Sequence, residues 1–238
     1  MNTLTRFFLL FCLSFAVLPF FSCTARINGP LNPDGSADIS INASLEPRTA
    51  ALIRNLSAAA GAPAGALILD GPAIARSMSE APGVSSVSFE NTGPAAIDGN
   101  ARISRIGEFL ASSRSNFISF EQGPAGGHCQ ISINRETSPE ILALLSPEVA
   151  VYLAALMAPI ATGEALDRAE YLFLVSTVYS RAIADEISGS RIRASVTFPG
   201  NISSVKGGTY TGRRADFDIP LLDLLVLETP LSYEVNWR

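Results

Sequence analysis

The chain has 238 residues, 47% of them hydrophobic and 16% charged, with a net charge of −5. Such a composition can build a core and excludes an intrinsically disordered chain. The acidic balance removes the electrostatic basis for nucleic-acid binding, and the basic residues are almost all arginine, with Lys206 the one lysine.

Met1–Arg6 carries one positive charge, Phe7–Phe21 is an apolar run of 15 residues, and Ser22 and Cys23 follow at once. A basic start, an apolar run of this length and a small residue at the cut predict a secretory signal. A spanning helix needs about 20 apolar residues, and Pro19 would break the last turn of this one. Phe20-Phe21-Ser22-Cys23 resembles the lipobox of bacterial lipoproteins: Ser22 and Cys23 match it, and Phe20 and Phe21 depart from its strict form. The resemblance implies export, cleavage before Cys23 and lipidation of that cysteine by a thioether-linked diacylglycerol. It also implies a lipid anchor on the exported side of a bacterial envelope membrane. A cut after Ala25 by an ordinary signal peptidase, or an uncut anchor, stays open on these residues. The expected organisation is a signal over 1–22, a lipidated tether over 23–34 and a single α+β domain over 35–238. With Cys12 in the signal and Cys23 lipidated, Cys129 is left alone, which rules out an internal disulfide in the mature domain.

Asn32-Pro33-Asp34-Gly35 is a turn signal, and it feeds Ala37–Leu45, whose apolar residues alternate with polar ones as in a half-buried strand. Glu46-Pro47 opens a helix over Arg48–Ala60 that Gly61 ends. Gly65–Leu69 is short and apolar, strand or helix. Pro72–Ala81 reads as a helix stopped by Pro82-Gly83, Val84–Glu90 as a strand, and Arg102–Ile106 as a strand running into a helical turn at Glu108–Ala111. Phe117–Phe120 and His128–Asn134 flank a Gly-Pro-Ala-Gly-Gly turn and read as a hairpin. Ser138–Leu145 and Ser146–Ile160 each begin Ser-Pro-Glu, the residues that suit a helix cap, first position and positive dipole end. Asp167–Ile187 reads as one long helix. Arg191–Phe198, Ala215–Ile219 and Leu231–Trp237 alternate again. Strand-rich flanks around a helical middle predict an α+β fold: an antiparallel sheet with one wet face and one face covered by helices.

Chemistry-bearing patterns are sparse. His128 is the one histidine and adjoins Cys129, and neighbours on a strand point to opposite faces. Neither a Ser-His-Asp arrangement nor a usual zinc site follows from one histidine and one thiol. The prevailing reading is an outward histidine beside a buried free cysteine. Asp216 and Asp218 share a strand face, as do Arg191 and Arg193; if those strands pair, cross-strand charge pairs on the wet face follow. A sharper alternative gathers Arg191, Arg193, Arg213 and Arg214 into a basic patch for anionic headgroups. Gly123–Gly127 and Gly207-Gly208 lack the order of phosphate loops and read as turns. The apolar stretch Leu166–Ile187 reads as core packing, with a lipid pocket as the alternative.

Asn32-Pro33-Asp34-Gly35-Ser36 with its following strand, and Val196-Thr197-Phe198-Pro199-Gly200-Asn201-Ile202 late in the chain, resemble the LppM-type lipoprotein domain over about a third of the sequence. The resemblance implies an α+β envelope domain that binds glycolipid, and it carries over no functional residue. The chain is expected to be a non-enzymatic, membrane-anchored envelope protein without a cofactor, binding a lipid, a glycolipid or another envelope protein. A structural or assembly factor is the alternative, and a carboxylate-based hydrolase the third.

Overall fold

Alternation of apolar and polar side chains builds most of this molecule, and the strands it produces divide between two sheets. The computed structural model describes residues 24–59, 65, 67–112, 116–144 and 147–238. Cys23, the signal run before it and Ser146 lie outside the described residues. In chain order the strands are β1 (Thr24–Pro30), β2 (Ala37–Ser44), β3 (Val84–Gly93), β4 (Ala96–Ile103), β5 (Ile118–Gly123), β6 (Gly126–Ile133), β7 (Arg191–Thr197), β8 (Ile202–Lys206), β9 (Thr209–Thr211), β10 (Arg214–Pro220) and β11 (Leu231–Trp237). The helices are α1 (Pro47–Ala59), α2 (Gly71–Ser79), α3 (Ile106–Ser112), α4 (Ser138–Leu144), α5 (Pro147–Ala155), α6 (Pro159–Thr162), α7 (Arg168–Val178), α8 (Arg181–Gly189) and α9 (Leu221–Val226).

The fold is α+β. A seven-stranded sheet runs β3-β4-β2-β1-β7-β10-β9, and a four-stranded sheet runs β5-β6-β11-β8. Every pairing is antiparallel except β1 with β7. The helices do not cover the inner face alone. The smaller sheet lies across the middle of the larger one, and Phe198 and Trp237 bring their ring centroids to 4.8 Å from opposite sheets.

The stretch expected to be a tether is corrected by β1. All seven of its residues pair with β7, and Thr24–Asn28 pair with β2 as well, in the interior of the larger sheet. The segment is short and holds Gly29 and Pro30, so it lacks the β-branched composition that marks a strand in sequence. Tertiary pairing on both edges overrides that weak propensity.

A second difference is β4. Its even slots hold Ile97, Gly99, Ala101 and Ile103, and all are buried, while Asp98, Asn100 and Arg102 face water. Asp-Gly-Asn has the composition of a turn, which hides the period. Glycine is there because the neighbouring strand presses on it: a β-carbon at Gly99 would stand 2.3 Å from the Phe89 ring and 2.3 Å from the Ser88 carbonyl oxygen. Gly99→Ala is therefore expected to destabilise the fold by about 1–3 kcal/mol through overpacking. Urea unfolding measures it, and an unchanged midpoint would show that β3 is free to move off.

Helices α1 and α4 to α9 cluster at one end of the sheets, around Tyr171, Val175, Ile187 and Val226, each 2% exposed or less. The expected long helix from Asp167 is two. Asp167 does start it with a reciprocal cap, accepting from Glu170 N at 2.8 Å while Glu170 accepts from Asp167 N at 2.9 Å. The chain then breaks at Ser180, whose hydroxyl accepts from Ile183 N at 3.3 Å and begins α8. A serine inside an apolar run acts here as a cap, because capping satisfies backbone donors that a continued helix would use otherwise. Glu186 on α8 reaches across to α1, accepting from the Arg48 and Thr49 amides at 3.2 and 2.8 Å and from the Thr49 hydroxyl at 2.9 Å. An anion at a helix start locks the two helices together.

Candidate functional site: an apolar cavity between the sheets

Every second residue of the facing strands points into the space between the sheets. From the larger sheet come Ile27 of β1, Ile39 of β2, Ala194 and Val196 of β7, and Phe217 and Ile219 of β10. From the smaller sheet come Ile118 and Phe120 of β5, Cys129, Ile131 and Ile133 of β6, and Tyr233 and Val235 of β11. Ile106 and Leu110 of α3, the link between the two sheets, supply a further wall. These side chains do not meet in the middle. They leave a cavity of about 330 Å³, within the range of small-ligand sites. Among the described residues lining it, the inward side chains offer two heteroatoms, the Cys129 thiol and the Tyr233 phenol.

Aromatic rings brace the cavity at two places. Trp237 sits between Phe198 at 4.8 Å and Phe120 at 6.2 Å, with Leu31 and Ile202 in the same cluster. Phe217 and Tyr233 meet edge to face across the sheets at 5.8 Å and 89°. The Gly207-Gly208 turn is shaped by that second pair: a β-carbon at Gly208 would come 2.6 Å from the Phe217 ring. Burial, and then the Asp223 charge, raise the Tyr233 phenol above its ordinary value.

Outside the cavity, but sharing Ile106 and Phe120 with it, lies an open groove of about 950 Å³. Its rim is polar, with Asp34, Arg105, Glu108, Glu121, Gln122 and Arg238. Arg105 and Glu108 pair there at 3.1 Å, and Gln122 donates to the Asn32 and Pro33 carbonyls at 3.0 Å each. Apolar depth thus adjoins a polar lip.

His128 and Cys129 do point to opposite faces. His128 lies on the outer face of the smaller sheet, 3.4 Å from the Glu234 carboxylate. The Asn236 amide first, and then the His128 charge, hold the Glu234 carboxyl below its usual value. Cys129 is a free thiol turned into the cavity, and burial pushes it up to about 11. Against an ordinary value of 9.0, its reactive thiolate near neutral pH is about a hundredfold scarcer than that of an exposed cysteine. Slow maleimide labelling of the native protein is the expected result, slower still when an apolar molecule fills the cavity. Labelling at the rate of a free thiol would show that the cavity is open to water.

The two aspartates and the arginines fall where cross-strand pairing predicts, in part. β7 and β10 pair so that Arg193 opposes Asp218, with 3.7 Å between them. Asp216 opposes Ser195, accepts from its hydroxyl at 2.7 Å and from Arg214 at 2.7 Å; burial opposes its charge, but these two partners hold it below the usual carboxylate range. Arg191 opposes Pro220, and Arg213 donates to the Phe198 carbonyl at 2.9 Å, so the four-arginine patch does not assemble. A shallow groove of about 700 Å³ on that outer face holds Arg193 and Arg214 together with Arg26, which lies beside Arg193 in the parallel pair. Arg26 was hidden in sequence because its segment reads as a tether. Asp216 and Asp218 line the same groove, so its charge is mixed. Among the described residues no group of three or more His, Cys, Asp and Glu side chains is placed to hold a metal, and no helix is long and apolar enough to cross a membrane.

No protein-family model matches the chain, and no curated protein matches it in sequence. Its structure is similar to that of the folded domain of Mycobacterium tuberculosis LppM, with 10% identity, 91% of this chain and 89% of that chain covered, and a TM-score of 0.41. At that identity and score the likeness assigns no function.

Proposed function

We propose that this chain is an exported envelope protein, anchored through lipid on Cys23, that holds the hydrocarbon part of a lipid or glycolipid between its two sheets. The cavity carries this reading. An apolar void forgoes stability at about 24 cal/mol per Å³, so one of 330 Å³ forgoes up to roughly 8 kcal/mol if nothing fills it. That rivals the whole net stability of an ordinary domain, about 5–15 kcal/mol. Water does not offset the loss, because a hydrocarbon wall gives it too few partners. An acyl chain does. The polar groove beside Ile106 and Phe120 suits the head of such a molecule.

The role is binding and not catalysis. A base needs a reacting group within hydrogen-bond reach, and His128 is turned away from the cavity on the opposite face of its sheet. The Cys129 thiol inside it is held protonated.

Two measurements test the two halves. Metabolic labelling with a fatty acid should mark the full chain and vanish in Cys23→Ser; labelling that survives the substitution removes the anchor. Native mass spectrometry of the full chain, purified gently from membranes, should show an additional mass that dissociates as a lipid. A bare mass after incubation with envelope lipids removes the cavity ligand.

A further inference from the structure

Among the described residues, three of the large apolar side chains left in water lie on α5 and α7. Phe173 is 73% exposed, Val151 60% and Val178 52%. On α7, Tyr171 and Val175 are fully buried, and Phe173 sits on the opposite side of the helix. Ala169 one turn before it and Thr177 one turn after are exposed too. The Ser176 and Thr177 hydroxyls both donate to the Phe173 carbonyl at 2.8 Å, so they are turned back onto the helix. α5 presents Val151 and Ala154 in the same way. The two helices are tied by hydrogen bonds from the Tyr171 and Tyr179 hydroxyls to the Leu156 and Ala155 carbonyls. Charged groups stand at the borders: Arg168 pairs with Asp223 and Glu228, and exposed Arg181 starts α8 just past Val178.

The path of the chain says what this surface meets. Thr24 opens β1, paired with Ser44 just before α1 and with Arg191 just after α8. The described chain therefore enters the fold at this helical end, at Thr24. Cys23 is the residue bonded to Thr24, and one residue spans at most about 3.6 Å. We propose that the α5–α7 face docks on the lipid bilayer, with Phe173 and Val178 seated at the boundary of headgroups and acyl chains. The proposal rests on the lipid anchor at Cys23. Acyl chains on that residue enter the membrane at the helical end of the fold, and an apolar helix face held near that surface is buried where a rigid stalk would leave it in water.

The test places an indole on the face. The full chain carrying Phe173→Trp is reconstituted through its anchor into vesicles of phosphatidylethanolamine and phosphatidylglycerol, with acylation of Cys23 checked by mass. Its fluorescence is compared between plain and brominated acyl chains. Trp237, 3% exposed, supplies a constant background read from the unsubstituted chain. Tyr210→Trp is the control, because Tyr210 is exposed on β9 at the opposite end of the larger sheet. The expected result is a blue shift and bromine quenching for Phe173→Trp and neither for Tyr210→Trp. An acylated, vesicle-bound protein whose Phe173→Trp emission is unquenched overturns the docking and leaves the anchor standing. A concentration-dependent shift without quenching assigns the face to a second copy and also overturns it. Absence of acyl mass on Cys23 removes the anchor, and the docking with it.

Discussion

Trp237→Ala is expected to lower stability by about 3–5 kcal/mol, the usual cost of deleting a buried tryptophan. Trp237 is 3% exposed, belongs to β11 and fills the space between Phe120 of β5 and Phe198 at the end of β7. It therefore joins the two sheets beside the start of α3, away from the helical cluster around Tyr171 and Val175. The backbone beneath has been shaped to its ring: a β-carbon at Gly127 would lie 2.1 Å from the indole. Such a loss is about a fifth or more of the net stability of an ordinary domain. The substitution deletes the one tryptophan of the chain, so unfolding in urea is followed by far-ultraviolet circular dichroism. A loss under about 1 kcal/mol would mean that this end of the sandwich is not closed by the ring.

Ala194→Leu should act in the opposite direction. In a filled core, added methylenes cost about 1–3 kcal/mol. Ala194 faces the cavity from the middle of β7, and there the larger side chain buries hydrocarbon in space that holds no protein atoms. At about 0.8 kcal/mol per buried methylene, the ligand-free protein should gain on the order of 1–2 kcal/mol. The same substitution should weaken an apolar fluorescent probe in the cavity by about tenfold or more, since each tenfold corresponds to about 1.4 kcal/mol of contact and space. Opposite signs on stability and on binding are the mark of a cavity built for a ligand. A destabilised Ala194→Leu with probe binding intact would place the probe elsewhere.

Much of this fold was legible because its strands keep a strict period of two. Ala37–Ser44, Arg191–Thr197 and Leu231–Trp237 stand close to where alternation predicts them, as does the hairpin around Pro124-Ala125. The misses have local causes. Gly99 and Ala101 occupy inward slots of β4 with side chains too small to signal burial, because Phe89 lies against the first of them. Ser180 cut a helix that hydropathy had joined. β1 is set by its two partners more than by its own residues. The cavity was less legible than the strands. Alternation says that Ile27, Val196, Ile131 and Val235 face inward, but not that two inward faces stand too far apart to interlock. The orientation of His128 and Cys129 was readable from adjacency alone.

The pairing of β1 with β7 also governs the order in which the molecule can be made. Residue 24 has its parallel neighbour at residue 191, and the smaller sheet takes an interior strand from the last residues of the chain. Contacts between such distant parts form slowly, because the loop between them must close before any of them is made. As the chain emerges from its amino end, β1 and β6 stand with open edges until β7 and β11 arrive. During that interval the walls of the future cavity are bare apolar strands, the kind of segment that pairs with other chains. Release of the carboxyl end, more than the folding of any one element, is then the step that takes the protein out of reach of aggregation.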